Sequence, residues 1–188
     1  MKRLILMRHA KSDWSSGAAS DHERPLNDRG RTGASALGDW LRAEGLMPDQ
    51  VLCSSAERTG ETYLRLKLPQ GISVSFTRDL YLATYDGIMK VLRNASGNTV
   101  LILGHNPGIS IMAEKILSER VDHPKFDQYP TGATLVADFD IATWRDADWG
   151  KQTRDTLRYR AIFRYGWREP PPYDVPRKVG ASPTLAGQ

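Results

Sequence analysis

Short runs of consecutive apolar residues constrain the fold of this chain more than any other feature of its sequence. Residues 4–7 (Leu-Ile-Leu-Met) and 100–103 (Val-Leu-Ile-Leu) are two such runs, and residues 51–53 (Val-Leu-Cys) are a shorter third. A strand without polar alternation is buried on both faces, which is typical of parallel sheets covered by helices. These runs therefore predict the central strands of such a sheet.

Amphipathic helical patterns lie between the apolar runs. Apolar residues recur at helical spacing at about 33–44, 56–66, 85–92 and 109–117. Further strands are indicated at 134–139, at 157–163 and at 72–76, where Ile72, Val74 and Phe76 alternate with serines and predict one buried face. Because strands that alternate with helices form right-handed crossovers, the sequence predicts an α/β fold. We expect three layers, α/β/α, with a central, mainly parallel sheet.

The length of 188 residues is that of one domain with a short appendage. From about Arg168 the helix and strand patterns stop, and Glu169 is followed by three prolines and a segment rich in Gly, Ser and Pro. This composition is typical of a polyproline-like segment. The sequence thus predicts a catalytic domain at residues 1–167 and a Pro-rich tail at residues 168–188.

Composition excludes several classes of protein. No apolar stretch approaches the roughly 18 residues of a membrane span, and the single cysteine, Cys53, excludes a disulfide scaffold and a zinc site of paired cysteines. The net charge of +4 permits an anionic partner. Aromatic and basic residues alternate at 144–168, but three acids dilute this patch and its arginines suit an exposed sheet edge. We expect a cytoplasmic protein that binds neither membrane nor nucleic acid.

Four chemically capable residues follow the apolar runs. Arg8 and His9 come directly after the first run, Arg58 lies shortly after the second, and His105 follows the third. Because ligands bind at the carboxyl ends of parallel strands, these side chains are expected to meet in one pocket. Guanidinium forks match phosphate oxygens, so two arginines and two histidines favour a dianion. Asn106 as the N-cap of the next helix, with Pro107 at its first position, would direct the positive end of that helix towards the pocket.

The two histidines suggest nucleophilic chemistry at phosphorus. A neutral imidazole attacks phosphorus when one ring nitrogen is held as a donor and the other presents its lone pair. Neighbouring cations favour the neutral imidazole and stabilise the charge on the phosphoryl oxygens. We therefore expect neither a metal nor a cofactor.

Other residues allow rival interpretations. Cysteine-dependent phosphatases have five residues between Cys and Arg, whereas four separate Cys53 from Arg58, so Cys53 is predicted to be a small buried strand residue. His22 and His123 are predicted to be solvated loop residues. Glu61 either braces Arg58 from the next helical turn or is a solvated charge. Ser12 and Arg24 either bind substrate at the pocket or have plain loop roles.

The chain resembles the histidine phosphatase superfamily, and within it the SixA-like phosphohistidine phosphatase branch. The resemblance spans about residues 2–139 and rests on four motifs: Met-Arg-His-Ala-Lys-Ser at 7–12, Arg-Pro-Leu-Asn-Asp-Arg-Gly at 24–30, Ser-Ser-Ala-Glu-Arg-Thr-Gly-Glu-Thr at 54–62 and Gly-His-Asn-Pro-Gly at 104–108. It implies a histidine-phosphatase-like fold. It also implies that His9 is the phosphorylated nucleophile, and that Arg8, Arg58 and His105 hold the phosphoryl group.

The chain departs from the superfamily at two motif positions. Ala10 stands where the broader motif has Gly, and Asn106 stands where many members have Asp or Glu after the second His. Asp79 is then the only nearby carboxylate that could serve as an acid. A missing general acid slows an alkyl ester by about 10²–10⁴-fold, whereas the weaker P–N bond of phosphohistidine needs an acid less.

These departures favour one function and leave two open. The favoured function is hydrolysis of phosphohistidine on a protein. The alternatives are a small-molecule phosphomonoesterase and a phosphate- or phosphoprotein-binding module that has lost turnover. The expected partner is thus a phosphorylated protein or a small phosphorylated substrate.

Overall fold

The computed structural model describes residues 1–118, 121–150 and 162–164 of the chain. Four α-helices are described, and two short 3₁₀ turns at Arg78–Leu80 and Trp144–Asp146. The strands are β1 (Lys2–Arg8), β2 (Gln50–Ser54), β3 (Ser73–Thr77), β4 (Thr99–Gly104), β5 (Thr134–Phe139) and β6 (Ile162–Arg164). The helices are α1 (Asp28–Ala43), α2 (Glu57–Leu66), α3 (Tyr85–Arg93) and α4 (Gly108–Ile116).

The six described strands form one sheet in the order β3-β2-β4-β1-β5-β6. The first four strands run parallel, whereas β5 is antiparallel to both β1 and β6. Arg8 lies opposite Gly104 in the register of β1 and β4, so His9 and His105 follow neighbouring strands at the same sheet edge. The predicted α/β fold with a mainly parallel sheet is confirmed.

Alternate residues of the central strands are buried in two separate hydrophobic cores, one on each face of the sheet. Leu4, Leu6, Val100 and Ile102 pack with α3 and α4 on one face of the sheet. Their neighbours Ile5, Met7, Leu101 and Leu103 pack with α1 and α2 on the other face. This arrangement confirms the three layers, and it explains why these strands carry no polar alternation.

Phe76 differs from the prediction of a buried face on β3. Its side chain is 52% exposed and touches the ring of Tyr63 edge-on, with 5.6 Å between the ring centroids. The reason is the position of β3 at an edge of the described sheet, where Tyr63 of α2 covers the Phe76 ring only in part.

Several predictions concern residues beyond the described ranges. Only Ile162–Arg164 of the strand predicted at 157–163 is described. The domain boundary between 167 and 168 and the Pro-rich tail at 168–188 lie outside the described residues. Among the helices that are described, none has both the length and the apolar character needed to span a bilayer.

Candidate active site

The structure brings together the four residues that the sequence places after its apolar runs. Arg8 ends β1 and His9 follows it, Arg58 lies in the first turn of α2, and His105 follows β4. The imidazole rings of His9 and His105 lie 5.2 Å apart, centroid to centroid. His9, Arg58 and His105 are each at most 6% exposed. We call these four residues the floor of the site.

Backbone contacts fix the ring of His9. Its Nδ1 donates a hydrogen bond of 2.7 Å to the carbonyl oxygen of Ala10, so the proton of a neutral ring is held on Nδ1. The amide of Ala10 donates in turn to Oγ1 of Thr62, whose hydroxyl donates to the carbonyl oxygen of Arg58. The lone pair of His9 is therefore carried by Nε2.

Both imidazoles of the floor are held neutral. The pKa of His9 is lowered to about 3, mainly by burial and also by the positive charges of Arg58, Arg8 and Arg24, against the opposing effect of the Ala10 carbonyl. Burial also lowers the pKa of His105 to about 2, together with the positive charges near it. His105 Nε2 lies 2.8 Å from Oγ of Ser54. A neutral imidazole is the form that attacks phosphorus.

Three buried nitrogens of the floor have no hydrogen-bond partner within the described residues. They are Nε of Arg8, Nε of Arg58 and Nδ1 of His105. A buried polar group without a partner is costly, so such groups mark a place where a ligand supplies the missing hydrogen bonds. A tetrahedral oxyanion offers several oxygens and a negative charge, which the guanidiniums of both arginines match. The floor is thus suited to a phosphoryl group.

The two arginines reach this place by different anchors. Nη1 of Arg8 donates to the carbonyl oxygen of Tyr129 at 2.9 Å, and burial, followed by the charge of Arg58, lowers its pKa. Arg58 donates from Nη1 to the carbonyl oxygen of Asp21 at 2.6 Å and from Nη2 to Oδ2 of Asp21 at 3.0 Å. The Arg8 anchor is a backbone atom, and the Arg58 anchor is a loop residue.

Ser12 and Arg24, the two candidate substrate-binding residues, lie beside the floor and contact each other. Nη1 of Arg24 donates to Oγ of Ser12, and both residues are less than 10% exposed. Nη2 of Arg24 donates to Oδ1 of Asp21 at 2.7 Å, and its guanidinium lies 3.7 Å from the ring centroid of Trp14. These contacts place both residues in one network with Arg58.

Asp21 and Tyr81 were missed by the sequence analysis. Oδ2 of Asp21 accepts hydrogen bonds from Arg58 and from the hydroxyl of Tyr81, the latter at 2.8 Å. The hydrogen bond from Arg24 is the main reason that the pKa of Asp21 lies well below its usual range. The Tyr81 ring stands edge-on to His105 at 5.6 Å. No periodicity marks such loop residues, and the nearest available signal was the arginine-rich motif that begins at Arg24.

The prediction that His22 is a solvated loop residue is wrong. His22 is half-buried, its Nε2 lies 2.9 Å from Oγ of Ser55, and its ring packs edge-on against Tyr81 at 4.8 Å. Its backbone carbonyl accepts from the amide of Glu57, which ties this turn to the start of α2. His123 is also half-buried, and its Nδ1 accepts from the amide of Lys125.

Two further expectations differ from the structure. Glu61 neither braces Arg58 nor is solvated, because it accepts hydrogen bonds from the amide of Leu26 and from Arg31. The N-cap of α4 is Pro107 rather than Asn106, and the helix begins at Gly108. The Asn106 amide instead donates to the carbonyl oxygen of Tyr129, the same oxygen that holds Arg8.

Asp79 and Cys53 occupy contrasting positions. Asp79, the candidate acid, is exposed in the turn Arg78–Leu80. Its backbone amide donates a hydrogen bond to Oγ1 of Thr77. Cys53 is fully buried, and burial raises the pKa of its thiol to about 12. This confirms Cys53 as a buried strand residue. No group of three or more His, Cys, Asp or Glu within the described ranges is arranged to hold a metal ion.

Comparison with known proteins gives the family context of this site. A family model for the histidine phosphatase superfamily (branch 1) matches residues 4–81. An uncharacterised protein of Mycobacterium tuberculosis is 32% identical over 141 residues, which are 69% of this chain and 85% of that protein. An uncharacterised protein of Mycobacterium leprae is 40% identical over 114 residues, which cover 57% of this chain and 68% of that protein.

Solved structures extend the comparison to the fold. A candidate phosphohistidine phosphatase SixA from Nakamurella multipartitia superposes with a TM-score of 0.72 at 25% identity, over 88% of this chain and 96% of that chain. The protein histidine phosphatase SixA complexed with tungstate superposes with a TM-score of 0.63 at 19% identity, over 87% of this chain and 94% of that chain. The second likeness concerns the fold alone.

Proposed function

The chain belongs to branch 1 of the histidine phosphatase superfamily, and from this premise we propose that it hydrolyses phosphohistidine on a protein through a phosphorylated His9. In this proposal Arg8, Arg58 and His105 hold the phosphoryl group, and Ser12 and Arg24 support its binding. No metal and no cofactor take part.

The hydrogen bond from His9 Nδ1 to the carbonyl oxygen of Ala10 carries the proposal. It keeps the proton on Nδ1 and the lone pair on Nε2 in a ring whose orientation the backbone determines. A nucleophile that is already neutral and oriented needs no separate base for activation. A buried histidine with only a structural role gains nothing from two guanidiniums beside it. Burying two positive charges close together costs stability, so their presence suits a site that binds an anion.

The first step transfers the phosphoryl group to His9. The lone pair on Nε2 forms a bond to phosphorus, and the P–N bond of the substrate breaks with its electron pair remaining on the leaving imidazole nitrogen. Donors of Arg8, Arg58 and His105 stabilise the charge on the equatorial oxygens. In the second step water attacks phosphorus, the bond to Nε2 breaks with its pair returning to Nε2, and the proton of water passes to solvent.

The leaving group distinguishes phosphohistidine from an ester. An imidazole can take a proton from water on its distal nitrogen and leave neutral, whereas an alkoxide must be protonated by the enzyme. Asp21 accepts from Arg24, Arg58 and Tyr81, so its carboxylate is held ionised and is a poor proton donor. Asp79 is then the candidate acid for an ester substrate.

Phosphate release from two substrates tests the proposal. We expect faster turnover of a phosphohistidine peptide than of an alkyl phosphomonoester at equal concentration. His9→Ala should lower turnover by about 10⁴-fold or more, because a nucleophile is lost. Quenching during turnover should trap an acid-labile, alkali-stable phosphoryl adduct on His9.

Cys53→Ser is the matched control. Cys53 is buried in the core, so this substitution should leave turnover intact. Turnover that survives His9→Ala and is abolished by Cys53→Ser would refute His9 as the nucleophile. Preference for the ester would indicate a small-molecule phosphomonoesterase. Phosphate binding without release from either substrate would indicate a binding module.

A further inference from the structure

Residues 21–24, which we call the rim segment, join three separate parts of the molecule at the edge of the site. Arg24 contacts Ser12 and Trp14 in the loop that follows His9. Asp21 contacts Arg58 on α2 and the hydroxyl of Tyr81 beyond β3. The segment therefore links the loop after the nucleophile to the residues on the opposite side of the floor.

Asp21 is the centre of these contacts. Oδ1 accepts two hydrogen bonds from Arg24, at 2.7 Å and 3.2 Å, and Oδ2 accepts one each from Arg58 and Tyr81. Four hydrogen bonds use the full acceptor capacity of a carboxylate. Its backbone carbonyl accepts a fifth, from Nη1 of Arg58. The Asp21 side chain is nevertheless 42% exposed, so these contacts serve orientation more than core packing.

The contact between Asp21 and Arg58 divides the guanidinium into two edges. Asp21 occupies the edge formed by Nη1 and Nη2, while Nε remains buried without a partner among the described residues. A guanidinium can bind one anion along each of two edges. A phosphoryl oxygen at Nε would thus not have to displace Asp21, and the carboxylate would hold the fork in place for it.

We propose that Asp21 is a positioning residue that orients the guanidinium of Arg58 so that its Nε edge meets the phosphoryl group. The inference builds on the proposed function, because it assigns Arg58 to phosphoryl binding. Arg58 has a long, flexible side chain, and fixing it before substrate arrives removes an entropic cost from binding. The charge of Asp21 also offsets part of the repulsion between Arg58 and Arg24.

Binding of inorganic phosphate to the full chain, measured by calorimetry, tests the inference without requiring turnover. Asp21→Ala should weaken phosphate binding by about tenfold or more, as expected for loss of an orienting, charge-assisted contact. Turnover of the phosphohistidine peptide, as kcat/KM, should fall by about 10²-fold through misplacement of Arg58. Asp21→Asn keeps the size and loses the charge, so its phosphate affinity should lie between those of Asp21→Ala and the wild type.

Asp39→Ala is the matched control. Asp39 pairs with Arg42 on α1 at 2.6 Å and is exposed, so this variant removes one surface ion pair away from the floor. Asp39→Ala should shift Tm little, whereas Asp21→Ala should lower Tm more, because two buried guanidiniums lose their counter-charge, and phosphate affinity should be lost only in Asp21→Ala. If Asp21→Ala fails to fold, Asp21→Asn carries the same comparison.

A double-mutant comparison of Asp21 and Arg58 distinguishes a positioning role of Asp21 from a general effect on stability. In an Arg58→Ala background, Asp21→Ala should reduce kcat/KM far less than in the wild type, because Arg58, the main residue through which Asp21 acts, is already gone. Unchanged phosphate affinity in Asp21→Ala would overturn the inference, and tighter affinity would show that Asp21 competes with phosphate for Arg58. A wild-type chain that binds phosphate but does not release it from phosphohistidine would contradict the proposed function alone.

Discussion

The floor and the rim of the candidate site are built by different means. The floor, Arg8, His9, Arg58 and His105, stands at the ends of buried strands and in the first turn of α2. The His9 ring and the Arg8 guanidinium are anchored to the backbone carbonyls of Ala10 and Tyr129, whereas the His105 ring contacts Oγ of Ser54. The rim comprises Ser12, Asp21, His22, Arg24 and Tyr81, whose contacts run mainly from side chain to side chain.

This difference separates two tasks within one site. Backbone anchors hold the floor rigidly, so its neutral imidazoles and its charges are pre-organised for a phosphoryl group. The rim lies in loops, and its carboxylate supplies the negative charge that orients Arg58. We therefore expect substitutions in the floor to affect chemistry and those in the rim to affect its efficiency.

The strongest test of the comparison is Arg58, the floor residue that the rim holds. Arg58→Ala removes the guanidinium whose Nε edge we propose to meet the phosphoryl group, so kcat/KM with a phosphohistidine peptide should fall by about 10²–10³-fold. Arg58→Lys should recover little of this loss, because an ammonium lacks the two edges with which a guanidinium can bind Asp21 and a phosphoryl oxygen together. Phosphate affinity from calorimetry and Tm from thermal unfolding are the two measurements.

Tm should change little in Arg58→Ala. The substitution relieves the repulsion between Arg58 and Arg8, and Asp21, the ion-pair partner of Arg58, is only partly buried and remains solvated. Asp39→Ala again controls for the loss of an ion pair. A variant that melts early yet binds phosphate normally would assign Arg58 a structural role, and the floor would then consist of Arg8 and the two histidines.

The floor could be predicted from the sequence because strand physics determines it. Leu4, Ile5, Leu6 and Met7 are all fully buried, so the continuous apolar run identified β1 and fixed the point where it ends. The same reasoning located β4, and the register of β1 with β4 then brings His9 beside His105. Parallel pairing of these strands follows from the helices between them.

Ser12 and Arg24 of the rim were candidates from the sequence, but the roles of Asp21, His22 and Tyr81 could not be predicted, since loop contacts leave no periodic signal. Asp21 lies in an irregular segment, and the three residues that its side chain contacts, Arg24, Arg58 and Tyr81, are between 3 and 60 positions away in the sequence. The error at His22 has the same origin, because its environment depends on Ser55 and Tyr81 from other elements. The misassigned cap at Asn106 arose because a local preference yielded to a tertiary contact with the carbonyl of Tyr129.

The neutral imidazoles of the floor predict a loss of stability on acidification. The pKa of His9 is about 3 and that of His105 about 2 in the folded chain, against about 6.5 when unfolded. Below pH 6.5 the unfolded chain therefore binds more protons, and the free energy of unfolding falls as pH decreases. Between pH 7 and pH 5 the loss is about 2 kcal/mol for each imidazole.

Urea unfolding at pH 7 and pH 5, in buffer free of phosphate, measures this loss. His9→Gln should lose about 2 kcal/mol less than the wild type over the interval, because one of the two neutral imidazoles is gone. The contribution of the Asp21 carboxylate, whose pKa is depressed, to the free energy of unfolding is lost only below about pH 4. The interval from pH 7 to pH 5 therefore reports on the histidines. Equal losses in the two proteins would contradict a neutral, buried His9.

The smallest expected effect concerns Asp79, which lies outside both the floor and the rim. Asp79→Asn should change phosphohistidine turnover by less than about twofold, because the leaving imidazole takes its proton from water. Asp86→Asn, on the first turn of α3, is a matched control for an exposed acid. With an alkyl phosphomonoester, a loss of about 10²-fold or more in Asp79→Asn alone would identify Asp79 as the general acid. The turn that carries Asp79 would then have to bring its carboxylate to the leaving oxygen. The site would in that case have a third, mobile part, in addition to the floor that performs the chemistry and the rim that orients Arg58.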